Sequence, residues 1–448
     1  MLSSATLIAH RMTMSKLRGN PEAFEGLTSV MSLAQMRSVV RAEEKKIALW
    51  SGAVSAGKTF VSLWAFLMAI MEAPKGGNII IVGRTLDTVY TNVFVLLQNP
   101  EIFGELTKYV SYTRGAKTAT ILGRTVFLYG ANDASSETKI RGSTVGLAYV
   151  DEVTILPEGF WDMLMTRLRV AGARVLATTN PGSKNHWLRK KWILKAEKKN
   201  LIHFPFTMDD NPSLKPGYIA DMKAQFAGVF YDRFIRGLWT NAEGAVYNSW
   251  DEKKHMIRWQ DMPPIARVLA LGADYGTTNT TAALLLGITA EERPRLVLMD
   301  EWSYSSKKHH GHTLSDAQLS ARLLEWLDGT EHSPHGQVIP EMLILDPSAA
   351  SLRAQLAESG RNTWPAHNRV DKGIALVASL LSAGVLLITD RCEGVLEEIT
   401  EYSWDPKATE AGEDKVEKVD DHFMDAMRYA IYTTRSTWLP YLRYALAA

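Results

Sequence analysis

At 448 residues, 46% hydrophobic and 22% charged, the chain has the composition of a soluble globular protein with room for two or three domains, each able to bury a core. Its one cysteine, Cys392, excludes an intrachain disulfide and, with no secretory signal in view, leads to the expectation of a reducing cytoplasm. The longest apolar run, residues 60–71, is broken by Ser62 and falls short of the roughly 20 residues that span a bilayer.

The net charge of +1 hides two unlike parts. Residues 1–244 carry 30 Lys+Arg against 20 Asp+Glu, a balance of +10, and the remainder carries 20 against 29, a balance of −9. A basic part suits a polyanion and an acidic part suits metal-ion chemistry, although chance partition between two domains gives the same sums.

In chain order, residues 1–45 read as an amphipathic helical segment broken at Gly19 and Pro21. From Lys46 short apolar strands alternate with helices: KIALWSG, NIIIVGR, the paired strands of ATILGRTVFLYG, VGLAYVDEV and ARVLATTNP. Such alternation predicts a largely parallel, doubly wound sheet over residues 46–240. The aperiodic GLWTNAEGAVYNSW places a boundary near residues 237–250, with a linker over 241–264. A second α/β unit, residues 265–448, then opens with two strands around a Gly/Thr/Asn turn. Further strands follow in RLVLMDEW and MLILDPS, and a helix in DHFMDAMRYAIYTT.

The pattern G-x-x-x-x-G-K-[ST] falls at Gly52, Gly57, Lys58 and Thr59, between a predicted strand and a predicted helix. There the backbone N–H groups of the loop, Ser55 and Ala56 among them, and the helix N-terminus make an anion site. Lys58 would neutralise the β- and γ-phosphates of a nucleotide and the Thr59 hydroxyl would ligate Mg²⁺. Asp151 and Glu152 end the apolar strand of LAYVDE. Asp151 suits the metal and Glu152 the polarisation of an attacking water. Thr178, Thr179 and Asn180 in ATTNP either sense the γ-phosphate or simply end a strand. Gln35 either reads an adenine edge or is an exposed helix glutamine, the second being favoured.

In the acidic part, Asp274 in GADYG and Asp346 in LILDPS end strands, and Asp425 lies on the last predicted helix. Converging carboxylates of this kind could hold two divalent ions, Mg²⁺ or Mn²⁺. His422, three residues before Asp425 on the same helix face, suits proton transfer or a structural pair with a neighbouring acid. Asp421 suits the helix N-terminus. One of Asp300 and Glu301 should face inward.

Read together, GAVSAGKT, LAYVDE, TTNP, GLWTNAEGAVY, ADYG, LDPSAASLRAQL and DDHFMDAMRYA resemble, in order, the large subunit of tailed-phage terminases. The resemblance implies an α/β chain: an additional-strand (ASCE-type) P-loop ATPase followed by an RNase H-like nuclease. It implies ATP and Mg²⁺ at the first site, two Mg²⁺ or Mn²⁺ ions at the second, and Asp274, Asp346 and Asp425 as metal-binding acids. It also implies double-stranded DNA, a portal protein, a small terminase subunit and a pentameric ring of copies as partners. It implies no membrane partner. The setting would be the host cytoplasm and, transiently, the procapsid, but not the mature virion. Many members carry an arginine inside the loop where this chain has Ala53 and Val54. Arg84 and Arg141 are the candidates to replace it, in the same subunit or in a neighbour's site. The stretch HWLRKKWILKAEKK, residues 186–199, either tracks DNA phosphates or is a solvated helix whose tryptophans pack inward. Competing expectations are a helicase-nuclease of repair or recombination, and a docking component that has lost catalysis.

Overall fold

The computed structural model describes residues 31–446 apart from 225, 277–279, 307–311 and 420, so most of the N-terminal helical segment lies outside the described residues. The chain forms two compact units. The first holds the described residues up to Lys215 with Asp232–Asn241 and Glu410–Glu413. The second holds Pro216–Tyr231, Ala242–Thr409 and the described residues from Asp414 onward. The segment 216–231, read from the sequence with the first α/β part, groups with the second. Among the described residues, no helix is long and apolar enough to cross a membrane.

In the first unit α1 (Leu33–Arg41) precedes β1 (Ile47–Gly52), α2 (Lys58–Glu72) and β2 (Asn78–Gly83). Strands β3 (Val110–Ser111), β4 (Thr118–Ile121), β5 (Arg124–Gly130) and β6 (Val145–Val150) follow. Then come α3 (Glu158–Arg167), β7 (Arg174–Thr179) and β8 (Leu201–Phe206). They form a sheet ordered β3-β4-β5-β2-β6-β7-β1-β8. Pairing is parallel from β5 to β8, and β3 and β4 are antiparallel additions at the edge. Strand β7 lies between the loop strand β1 and the acid-bearing strand β6, the additional-strand arrangement. Both faces of the sheet are covered, as all-parallel sheets require. Ile47, Leu49, Ile80, Val82, Ala148, Val150, Val175 and Ala177 pack with Phe160, Trp161 and Leu164 of α3. The alternate residues face the other way, where Tyr149 meets Phe66 of α2 at 5.1 Å between ring centres.

In the second unit β9 (Met256–Ile257), β10 (Ile265–Asp274), β11 (Thr281–Thr289), β12 (Leu296–Tyr304), β13 (Leu343–Leu345), β14 (Thr363–Pro365) and β15 (Leu386–Thr389) form one sheet. Its order is β14-β13-β10-β11-β12-β15-β9. The antiparallel meander β10–β11–β12, with β13 and β14 running parallel beside β10, is the RNase H-like sheet. One face packs on α4 (Asp316–Gly329) through Leu319, Leu323 and Leu327. Helices α5 (Val370–Ser382) and α6 (Glu393–Glu401) precede α7 (His422–Thr433), which crosses the other face over β10. Gly272 permits this approach: a Cβ there would stand 2.6 Å from the Ala426 carbonyl oxygen. Asp274, two residues on and therefore on the same face, meets α7 as well.

Candidate functional site

The loop of residues 52–59 leaves β1 through Gly52, whose φ is +139° and whose added Cβ would lie 1.7 Å from the Phe206 carbonyl oxygen. Only glycine fits there. The loop is pinned from outside at three consecutive residues. Val54 N–H donates to the Phe234 carbonyl at 2.7 Å, Asn211 Nδ2 to the Ser55 carbonyl at 2.7 Å, and Gln35 Nε2 to the Ala56 carbonyl at 2.9 Å. Gln35 is thus no exposed helix glutamine. It is buried, its Oε1 closes a capping box with the Ser32 N–H at 2.9 Å, and its other amide atom is spent on the loop.

Lys58 opens α2, and its ammonium donates back to the carbonyls of Gly52 (3.1 Å) and Ala53. Burial pushes its pKa down to about 8, while the nearby charges of Glu152 and Asp151 act to raise it. Thr59, the next residue, is half-buried. Asp151 follows β6 and is buried. Thr178 Oγ1 donates to its Oδ1 and Asn92 Nδ2 to its Oδ2, each at 2.8 Å. Burial raises the Asp151 pKa, opposed by these two bonds and by Lys58. Glu152 is held in the left-handed region, φ 52° and ψ 60°, a conformation that costs a non-glycine residue about 1–3 kcal/mol. Thr179 Oγ1 donates to Thr154 Oγ1 at 2.8 Å, and Thr154 Oγ1 to the Asn180 carbonyl at 3.2 Å. The strand-end TTN therefore ends a strand and is also wired to the segment carrying Asp151 and Glu152.

Two sequence-named arginines are placed differently. Arg84 is exposed and directly follows β2, at the sheet end where Asp151 N–H donates to the Val82 carbonyl. Arg141 precedes β6, about 20 Å of strand away from Asp151. It is exposed and paired with Glu137 at 3.1 Å, so it does not join the loop and acids of its own unit. The stretch 186–199 is two short irregular helical turns, Leu188–Trp192 and Ile193–Lys195. Trp187 and Trp192 pack on Trp161 with ring centres 6.1 and 5.6 Å away, and Lys190, Lys191, Lys195, Lys198 and Lys199 stay exposed.

On β8, beside the end of β1, His203 Nε2 lies 2.6 Å from Ser51 Oγ, and burial pushes this imidazole down to about 4. The unfolded chain takes up the proton near pH 6.5 and the folded one only near 4. Stability is therefore full above about pH 6.5 and lost as pH falls through that window, by about 3 kcal/mol. His203→Gln is expected to flatten this part of the urea-midpoint profile, and an unchanged slope would show that the imidazole is not held neutral.

In the second unit the sheet brings the three sequence-named acids together. Asp274 ends β10, Asp346 follows β13 in the neighbouring register with its N–H on the Ala273 carbonyl, and Asp425 lies on α7. His422 Nδ1 is 2.9 Å from Asp274 Oδ2. Tyr429 donates to Asp346 Oδ2, and the Ser348 N–H and hydroxyl to its Oδ1. Arg428 Nη2 donates to Asp425 Oδ1 at 2.7 Å. Burial raises the Asp274 pKa; the His422 bond lowers it, and the Asp425 and Asp346 charges raise it further. Burial also works to raise Asp346, but the Ser348 and Tyr429 bonds hold it below the usual carboxylate value. His422 is raised, first by its bond to Asp274.

Asp421 does not serve the helix N-terminus with its side chain, which takes Lys418 Nζ at 2.6 Å. Glu398 does, accepting the N–H groups of Phe423 (2.8 Å) and Met424 (3.0 Å) while burial pushes it up to about 8. Asp300 is paired with His332 at 2.8 Å, and Glu301 accepts the Gly394 and Val395 N–H groups of α6.

Among the described residues no three acidic, His or Cys side chains surround one point closely enough to hold a metal ion as they lie. Their oxygens are turned to the protein's own donors. The donor set nevertheless fits a hard divalent cation: three carboxylates that feel one another, at adjoining strand and helix positions.

Known proteins share this sequence family and fold. The family profile of the terminase large subunit, T4likevirus-type, N-terminal, matches residues 49–254. The large terminase of a thermophilic bacteriophage is similar at 31% identity and a TM-score of 0.77, over 90% of this chain and 98% of that one. The same protein in complex with ATP-γ-S matches at 30% identity and 0.76, over 90% and 99%. The large terminase subunit of Escherichia phage T5 is 22% identical over 312 residues, 65% of this chain and 67% of that protein. This chain belongs to the terminase large subunit family of bacteriophages.

Proposed function

We propose that the chain drives double-stranded viral DNA into a procapsid by ATP hydrolysis and cuts concatemeric DNA to begin and end packaging. The observation that carries this reading is the presence of both centres in one chain, each at the C-terminal ends of its strands, where open α/β sheets bind ligands. Residues 46–240, apart from 216–231, form the ATPase part, 241–264 the linker and 265–448 the nuclease part.

In the first centre Gly52, Ser55, Ala56, Gly57 and Lys58 hold the phosphates of ATP, and Gln35 fixes the loop at Ala56. Thr59 and Asp151 are the residues that would hold Mg²⁺. Glu152 takes the proton of the attacking water. Loss of the γ-phosphate passes through Thr178, Thr179 and Asn180. Arg84, at the same sheet end as Asp151, completes the positive charge that Ala53 and Val54 do not supply, and Arg141 is left for a neighbouring subunit. In the second centre Asp274, Asp346 and Asp425 would hold two Mg²⁺ or Mn²⁺ ions, which when bound activate water and stabilise the leaving oxygen. His422 orients Asp274 and can carry a proton at Nε2.

The partners of this reading are a portal protein, a small terminase subunit and a ring of copies, expected to be five, on the procapsid in the host cytoplasm. Portal-bearing procapsids supplied with the protein, ATP and linear duplex should accumulate nuclease-protected DNA. Strand separation on a forked substrate, without protected DNA, would instead support a repair helicase-nuclease.

A further inference from the structure

Asp425 differs from the other two acids in what occupies its oxygens. Asp274 meets an imidazole, and Asp346 meets hydroxyls and an N–H. Asp425 meets two cations: Arg428 Nη2 at 2.7 Å from Oδ1 and Lys418 Nζ at 3.5 Å from Oδ2.

The two cations are not equivalent. Arg428 is 1% exposed, lies on α7 itself and donates its other arm to Asn368 Oδ1 at 3.0 Å. Removing it would strand buried polar groups. The side chain of Lys418 is 64% exposed and its shorter contact is to Asp421, at 2.6 Å. Lys418 follows the returning arm of a loop tied by the Glu417 N–H to the Ser403 carbonyl (3.0 Å) and the Asp405 N–H to the Lys415 carbonyl (2.8 Å). The arm brings the ammonium to the acids and leaves it only partly covered.

A divalent ion that uses Asp425 finds Oδ2 the freer oxygen, because Oδ1 already accepts from a fixed guanidinium. Oδ2 is where Lys418 stands. We propose that Lys418 is a resident counter-cation that competes with the divalent ion for Asp425, so that metal binding requires the ammonium to move away. This rests on reading Asp274, Asp346 and Asp425 as the metal site. Solvent screens a charge this exposed, so the competition is worth about tenfold in affinity rather than the much larger factor of a buried pair.

The test is Mn²⁺ binding to the full chain without nucleotide, followed by the electron paramagnetic resonance signal of free Mn²⁺. The proteins compared are wild type, Lys418→Met, Lys418→Arg and Asp274→Asn. The component lost in Asp274→Asn reports the acidic site. That component is expected to bind about tenfold more tightly in Lys418→Met and within about twofold of wild type in Lys418→Arg, which keeps the charge. Equal or weaker binding in Lys418→Met, with an Asp274-dependent component present, overturns the proposal alone. No Asp274-dependent component in wild type or Lys418→Met overturns the metal-site reading and the proposal with it.

Discussion

Lys58→Ala is expected to lower ATP turnover by about 10³-fold or more while plasmid cutting stays within about twofold of wild type. The ammonium is buried beneath its own loop and donates to the carbonyls of Gly52 and Ala53, so it is already stripped of water. Its burial has been offset by nothing but those carbonyls and the charges of Glu152 and Asp151. When phosphates replace the carbonyls, a full charge meets a full charge in a dry site. Truncation leaves the phosphates facing two acids and an uncharged gap. No exposed lysine can substitute, because the loop is held at Val54, Ser55 and Ala56 by groups from elsewhere in the unit. The free ammonium has a pKa of about 8, so nucleotide affinity should also weaken as pH rises through that value. Arg84→Ala is expected to cost less, to leave cutting untouched and to be partly rescued in mixtures with wild type only if it serves a neighbour. Phosphate release and plasmid nicking on the same preparations check all of this. Loss of both activities in a folded Lys58→Ala would defeat the two-centre reading.

Local chemistry was legible in the sequence, and non-local chemistry was not. A glycine-bounded loop between strand and helix, or an acid after an apolar strand, carries its meaning within a few residues. The positions of Lys58, Asp151, Asp274 and Asp346 at strand ends follow from that. The capping signal S-x-x-Q at Ser32 and Gln35 was equally readable, but nothing local shows that Gln35 Nε2 reaches Ala56. Asn92 on Asp151 and Asn211 on Ser55 come from a helical turn and a loop 59 and 156 residues away, and no period or motif marks them. Alternation predicts that one of Asp300 and Glu301 faces inward. The register shift opposite Leu285 and Leu286 breaks that alternation, and each acid finds its own partner away from the Asp274 cluster. In residues 186–199 the sequence leaves a DNA-tracking charge run and inward-packing tryptophans equally open; Trp187 and Trp192 do pack on Trp161, while the lysines stay exposed.

Asp274→Asn is expected to reduce plasmid cutting by about 10³-fold or more, with ATP turnover and fold retained. The substitution keeps the size of the side chain and a partner for His422 Nδ1, so the contact between β10 and α7 around Gly272 survives. What it removes is one formal charge from a centre where three carboxylates feel one another. Asn offers one weaker, uncharged oxygen where a divalent ion would take a carboxylate, and it no longer helps to hold His422 protonated. The neighbouring acids cannot compensate. Asp346 is fixed by Ser348 and Tyr429, and Asp425 by Arg428, so neither can swing across to supply the missing oxygen. Asp346→Asn should be less damaging to folding than deletion of the side chain, because Ser348 and Tyr429 keep an acceptor. Supercoiled-plasmid cleavage with Mg²⁺ and with Mn²⁺, beside phosphate release and urea unfolding, reads the three quantities separately. Wild-type cutting by Asp274→Asn would remove the acidic cluster from the reaction. Loss of ATP turnover with the fold intact would mean that the acidic cluster serves hydrolysis as well.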